Sequence, residues 1–250
     1  MHRPLAALAA ALVVLVASPV GAAPPPPAPA ARCAVPSDLI AGEPSLPGLA
    51  QHFRDRRPIV IVAIGGASTA GVAAGGPDKA YPQRLQEALQ RRHPGVPITV
   101  INKGVPRQTT RDMVDRFSAD VLPAKPDLVI WETGTVDAVR VIPVDDFATA
   151  LGDGIGALRA GGAAVMLVDM QYNPSLASVI DFGPYLEAIH RTADLDEASL
   201  FDRYEIMRYW SENGRFDLVD VPQGQQTALA GEIYLCLGEA MAESIDRAAR

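Results

Sequence analysis

The sequence is poor in the residues that nucleic-acid, metal and thiol chemistry rely on. Lys and Arg total 22 against 29 Asp and Glu, and the basic residues form no cluster. The net charge of −7 argues against nucleic acid or an anionic membrane surface as a partner. The four histidines, His2, His52, His93 and His190, are scattered, so no metal-ligand cluster is visible and no metal is expected. Nucleotide fingerprints are missing too. No Gly-Lys-Ser/Thr follows the glycine loop at Gly65, and the G-x-G-x-x-G spacing is absent there, so no cofactor is expected. Only two cysteines occur, Cys33 and Cys236.

The start of the chain reads as an export signal. His2 and Arg3 give a short positive segment, Leu5 to Ala17 an apolar run, and Val20-Gly21-Ala22-Ala23 the small residues of a cleavage site. Proline directly after a cut is unfavourable, so cleavage is expected after Ala22. This makes residues 1–22 a signal peptide and the product periplasmic or secreted, with no membrane contact beyond that signal. The alternative, an uncleaved anchor, has an apolar run short of the about 20 residues a span requires. A lipid anchor on Cys33 is excluded by the bulky Arg32 before it. Residues 23–57 comprise a proline-rich spacer, Pro24 to Pro29, and an N-terminal arm; residues 58–250 form the domain. An oxidising compartment favours a Cys33–Cys236 disulfide constraining nearly the whole unfolded chain, with two buried free thiols as the alternative.

From residue 58 short apolar runs alternate with helical patterns. Strands are expected at Ile59–Ile64, Ile98–Ile101, Leu128–Trp131, Ala163–Val168 and, briefly, Leu200–Phe201. Pro82 suits a first helical turn ahead of Leu85, Ala88 and Leu89, and Thr109 with Asp112 makes a Thr-x-x-acid cap. Phe147, Leu151, Ile155 and Leu158 mark one helix; further helices are expected over Tyr185 to Ala193 and Ile206 to Trp210. Ile233, Leu237, Met241 and Ile245 mark a long closing helix. The alternation predicts an α/β fold with a mostly parallel sheet covered on both faces, and a site built by the loops after the strand carboxyl ends.

The loop Gly65-Gly-Ala-Ser-Thr-Ala-Gly71 resembles the opening motif of the SGNH/GDSL hydrolases, Gly-Asp-Ser-x-Thr-x-Gly. Asn102-Lys-Gly104 resembles the second block of that family, and Trp131-Glu-Thr-Gly134-Thr-Val-Asp137 the third. The closing Tyr234-Leu-Cys-Leu-Gly-Glu-Ala resembles the helix after the last block. The resemblance implies a flavodoxin-like three-layer α/β/α sandwich with a mostly parallel five-stranded sheet. It also implies ester or acetyl-group hydrolysis on lipids, glycans or small molecules.

Carried over residue by residue, the same resemblance implies an inactive site. Gly66 stands at the motif aspartate, Ala67 at the nucleophile, Val136 at the oxyanion asparagine, and Gln225 and Ala228 at the last-block aspartate and histidine. Gly104 alone remains, as a residual oxyanion donor. Ser68 falls one residue late. Serine acyl transfer needs a base, most often histidine held by a carboxylate, and no histidine stands beyond His190, where the family keeps it. Losing one oxyanion donor costs about 100- to 1,000-fold, whereas losing nucleophile and base removes the covalent route.

Four polar residues are candidates for ligand binding. Ser68 and Thr69 either contact a ligand or hydrogen-bond their own loop. Asp137 either orients a ligand or caps the next helix. Glu132 sits at a strand end facing the expected cleft, with Gln171 and Tyr172 on its wall. Asp217 and Asp220 suit a solvated loop or a substitute acid pair. The expectation is a non-catalytic protein that binds a small acylated molecule, a glycan or an envelope protein. The alternatives are an ester or acetyl hydrolase built on Ser68 with Asp217 or Asp220, and an accessory subunit of an envelope enzyme.

Overall fold

The computed structural model describes residues 32–40 and 46–250. The expected signal peptide, its cleavage site, the proline-rich spacer and His2 lie outside the described residues. Pro47–Asp55 forms α1, with proline in its first turn, and Ile59–Gly65 forms β1. The short α2, Ala67–Ala70, leads to α3, Tyr81–Arg92, and β2, Ile98–Gly104. Next come α4, Thr110–Val114, β3, Leu128–Glu132, α5, Thr135–Val139, and α6, Val144–Ala160. After β4, Ala164–Val168, come α7, Pro174–Ala177, α8, Gly183–Leu195, and β5, Ser199–Phe201. The chain closes with α9, Arg203–Glu212, and α10, Gln226–Ala248.

The strands form one sheet in the order β2-β1-β3-β4-β5, with all pairings parallel. Strand order reverses at β1, which has β2 on one side and β3 on the other. In open parallel sheets a crevice opens at such a point beyond the strand carboxyl ends.

Strand periodicity sorts the β-branched runs into two cores. Ile59, Ile61 and Ala63 of β1, Leu128 and Ile130 of β3, and Met166 and Val168 of β4 face one side. They meet Leu85 and Leu89 of α3, Trp210 of α9, and Leu237, Met241 and Ile245 of α10. Val62, Ile64, Val129, Trp131, Val165 and Leu167 face the other side, against Phe147, Leu151 and Ile155 of α6 and Ile189 of α8. Fully burying a Leu- or Phe-sized side chain contributes about 1.5–3 kcal/mol, so both layers are strongly fixed. Both sit beneath the strand ends and give the loops there a rigid base.

The N-terminal arm is fastened to the closing helices. Cys33 and Cys236 form a disulfide, as the exported reading expects. The Trp210 indole donates to Ala34 O at 3.2 Å, and Arg247 donates to Ser37 O at 2.7 Å and Ile40 O at 2.9 Å. No helix among the described residues is long and apolar enough to cross a membrane.

Several details differ from the sequence expectation. β2 continues through Asn102, Lys103 and Gly104, because β1 pairs with it as far as Gly65↔Gly104. Asn173 and Pro174, a pairing that reads as a break after β4, instead open α7; Asn173 Oδ1 accepts the Leu176 amide at 3.0 Å. The Thr109–Asp112 capping box forms as expected at the start of α4.

Candidate functional site

The crevice at the strand-order reversal is organised by one buried carboxylate. Glu132, the last residue of β3, accepts the Gly66 amide at 2.9 Å and the Thr69 hydroxyl at 2.9 Å, both on Oε2. Thr69 Oγ1 also meets the Tyr81 hydroxyl at 2.9 Å. Arg203, the first residue of α9 and only 1% exposed, donates from Nη2 to Glu132 Oε1 at 3.3 Å. The glycine loop is therefore pinned from below by a buried ion pair. Burial, with Glu132 nearby as second cause, pushes the Tyr81 phenol far above its ordinary pKa. Glu132 and Thr69, singled out as candidate ligand contacts, spend their polar atoms on this scaffold.

Gly104 reaches the same loop from β2. Asn102 Nδ2 donates to Thr69 O at 2.6 Å, and the Gly104 amide donates to Asn102 Oδ1 at 2.8 Å. A Cβ on Gly104 would come within 2.6 Å of Thr69 C and 2.8 Å of Ala70 Cα. The glycine is thus required for close strand–loop approach, and its amide, expected as the residual oxyanion donor, is engaged by Asn102.

Above this scaffold lies a cleft of about 190 Å³ with Ala67, Ser68, Arg107, Gln108, Val136 and Gln171 among its lining residues. Ala67, which the motif resemblance aligns with the family's nucleophile, is exposed, whereas Ser68 is buried against the wall. Ser68 Oγ donates to Gln171 Oε1 at 3.1 Å. Burial raises the pKa of the neighbouring Tyr234 phenol, and the Ser68 hydroxyl beside it acts in the opposite direction. Val136, expected in place of the oxyanion asparagine, lines the cleft, and Gln171 stands on the cleft wall. Tyr172 turns aside and packs edge-on against Tyr204, ring centroids 5.2 Å apart.

No described histidine hydrogen-bonds Ser68. His52 contacts Pro58 O at 3.0 Å, and His93, at the end of α3, contacts Asp246 Oδ1 at 2.6 Å. His190 on α8 faces Asp169 and Asp202, the residues that follow β4 and β5. The sequence reading saw scattered histidines and no cluster; this convergence corrects it. Among the described residues, Asp169, His190 and Asp202 form the one group of His, Cys, Asp or Glu whose ligand atoms gather closely, all within 4.8 Å of one another. Burial pushes the Asp169 carboxyl up to about 7, with His190 opposing and Asp202 adding to the rise. Asp169 is the first cause of a raised His190 pKa, ahead of the opposing effect of burial.

The other candidates have structural duties. Asp137 does not cap α5, whose N-cap is Gly134. It is buried and accepts the Thr110 amide at 3.1 Å and the Thr110 hydroxyl at 3.0 Å, joining α5 to α4. Burial raises its pKa; the Thr110 bonds oppose that, and Asp112 adds to it. Asp217 Oδ1 accepts the Val219 and Asp220 amides at 2.9 and 3.0 Å in an exposed loop. Gln225 and Ala228 are exposed at the start of α10 and do not line the cleft. A larger hollow of about 620 Å³ lies by the arm, lined by Cys33, Val35, Arg92 and Glu239 among others, away from the strand ends.

Sequence reasoning missed Arg203 and Arg107. Arg203 stands two residues beyond β5, after Asp202, and nothing local marks it as buried. Arg107 lies in the loop after β2 and takes a left-handed φ of 68°.

A model of the non-GDSL lipase-like family matches residues 32–250. A comparison with curated proteins found no match. Among solved structures, the chain is similar to an acetylxylan esterase from Geobacillus stearothermophilus, at 19% identity and TM-score 0.57, over 75% of this chain and 94% of that one. It is also similar to a two-domain esterase active on acetylated mannans, at 17% identity and TM-score 0.67, over 85% of this chain and 56% of that one. A third is an alpha/beta hydrolase from the metagenome of Lake Arreo, Spain, at 19% identity and TM-score 0.60, over 75% and 95%. At these identities the likeness speaks for the fold. The parallel sheet with its crevice at β1, and the family match across the described chain, make this protein a member of the non-GDSL lipase-like family with the SGNH/GDSL esterase fold.

Proposed function

We propose that this protein works outside the cytoplasm as a non-hydrolytic binder of a small O-acylated ligand, an acetylated glycan foremost. One observation carries the reading: the Ser68 hydroxyl in the cleft is donated to Gln171 rather than to an imidazole, beside the cleft-lining Ala67 that the motif resemblance aligns with the family's nucleophile. Acyl transfer through serine needs a base to accept that proton. A cleft of about 190 Å³ suits an acetyl group and part of a sugar rather than a long acyl chain. The activities of two structural neighbours, on acetylated xylan and acetylated mannans, support that ligand class. The Cys33–Cys236 disulfide supports an oxidising location.

The test uses the purified mature protein, 4-nitrophenyl acetate, and acetylated and deacetylated xylo-oligosaccharides. The expected result is hydrolysis no faster than buffer, with saturation-transfer NMR contacts that require the acetyl groups and weaken in Gln171→Ala. Turnover abolished by Ser68→Ala, or labelling of Ser68 by a fluorophosphonate, would overturn the reading in favour of a hydrolase built on Ser68.

A further inference from the structure

Asp169 directly follows β4 and Asp202 directly follows β5, so two adjacent parallel strands deliver carboxylates to one sheet edge. In both residues a backbone amide holds Oδ1: Tyr204 N donates to Asp169 at 2.9 Å, and Glu205 N donates to Asp202 at 3.1 Å. Both Oδ2 atoms point to His190 Nε2 on α8, at 3.8 and 3.9 Å. Those distances exceed a hydrogen bond. Asp169 is 0% exposed, and its Oδ2 has no hydrogen-bond partner. A buried carboxylate oxygen without a donor is costly unless something occupies its lone pairs.

We propose that Asp169 Oδ2, His190 Nε2 and Asp202 Oδ2 bind one divalent metal ion of the zinc or manganese class. A point equidistant from three atoms so spaced lies roughly 2.2–2.5 Å from each, so a contraction of a few tenths of an ångström reaches the about 2.0–2.2 Å of zinc bonds to nitrogen and carboxylate oxygen. Two carboxylates and a neutral imidazole balance a divalent charge. One imidazole with only two carboxylates suits zinc or manganese, whereas calcium seeks six to eight oxygens. The amides on Oδ1 orient both carboxylates, as outer contacts do around metal ligands. The His190 side chain is 44% exposed, which leaves the remaining coordination positions open to water. The ion would clamp α8 to the ends of β4 and β5. This assignment is independent of whether the cleft hydrolyses or binds its ligand.

The experiment uses untagged full-length protein, stripped with a chelator and left disulfide-bonded. It is titrated with Zn²⁺, Mn²⁺ and Ca²⁺ by calorimetry, with metal content counted by mass spectrometry and Co²⁺ absorption as a spectroscopic check. The expected result is one Zn²⁺ or Mn²⁺ per chain, a raised melting temperature, and at least tenfold weaker Ca²⁺ binding. Asp169→Asn should weaken binding at least tenfold. His190→Gln, at a half-exposed position that tolerates substitution, should do the same and abolish the Co²⁺ bands, while His93→Gln leaves both intact. Absence of stoichiometric binding, binding unchanged in His190→Gln, or Ca²⁺ bound as tightly as Zn²⁺ would overturn the assignment.

Discussion

Replacing Arg203 by methionine isolates the electrostatics beneath the glycine loop. The substitution keeps a long side chain in a fully buried position but removes the cation facing Glu132. Stripping one partner from a buried pair costs about 3–5 kcal/mol, because the remaining charge is stranded in a poorly solvating interior. Two features place the expected loss near the lower end. Glu132 keeps the Gly66 amide and the Thr69 hydroxyl as donors. Arg203 is itself poorly satisfied, since its Nε and Nη1 atoms are buried without hydrogen-bond partners. A loss of about 3 kcal/mol with a urea slope of about 3 kcal/mol/M lowers the unfolding midpoint by about 1 M. Urea titration followed by tryptophan fluorescence reads it, since Trp131 and Trp210 are both buried. Glu132→Gln should be destabilising as well, and the double variant should recover part of the summed loss, because no charge is then stranded. An Arg203→Met midpoint within about 0.3 M of wild type, at an unchanged slope, would refute the idea that this pair holds the loop down.

Other outcomes follow from single contacts. Because burial raises the Asp137 pKa, the folded state holds that proton more tightly than the unfolded chain. Its contribution is greatest below the ordinary aspartate range and is lost as pH rises through the elevated value. The stability difference between wild type and Asp137→Asn should therefore shift toward wild type on going from pH 7 to pH 4; a shift the other way would show that the Thr110 bonds dominate. Gly154→Ala gains about 1 kcal/mol of helix propensity, yet its Cβ would collide with buried Trp131, 2.6 Å from Cζ3. A net loss of thermal stability is expected, and a higher melting temperature would contradict it. Cys33→Ser/Cys236→Ser should lose about 2–5 kcal/mol in chemical denaturation, with wild type under reducing conditions showing the same deficit.

The fold was legible where packing speaks through periodicity. The β-branched runs at Ile59, Leu128 and Ala164 bury both faces of a covered sheet, and the Phe147–Leu158 spacing buries one clear helix face. It was illegible where pairing overrides composition. Asn102 and Lys103 look like loop residues, but the ladder to β1 keeps them in a strand. α1 also escaped notice, because only Leu49 and Ala50 in it are buried. At the site, Ala67, Ser68, Glu132 and Gln171 were readable because each lies just beyond or at the end of a strand run. The Asp169–His190–Asp202 group was not, since its members meet only through the parallel pairing of β4 with β5 and the placement of α8. Spacing along the chain carries no trace of that meeting, although two aspartates each directly following a strand were a usable hint.

The sulfur link between the arm and α10 spans 203 positions. During synthesis Cys33 therefore emerges long before its mate and has no partner within the chain until Cys236 follows. With only two cysteines in the sequence, no incorrect pairing exists within one molecule, and every wrong product is a bond to a sulfur of another molecule. Fidelity of this bond is thus a question of crowding rather than of shuffling: dilution should suffice to secure it, without an isomerase.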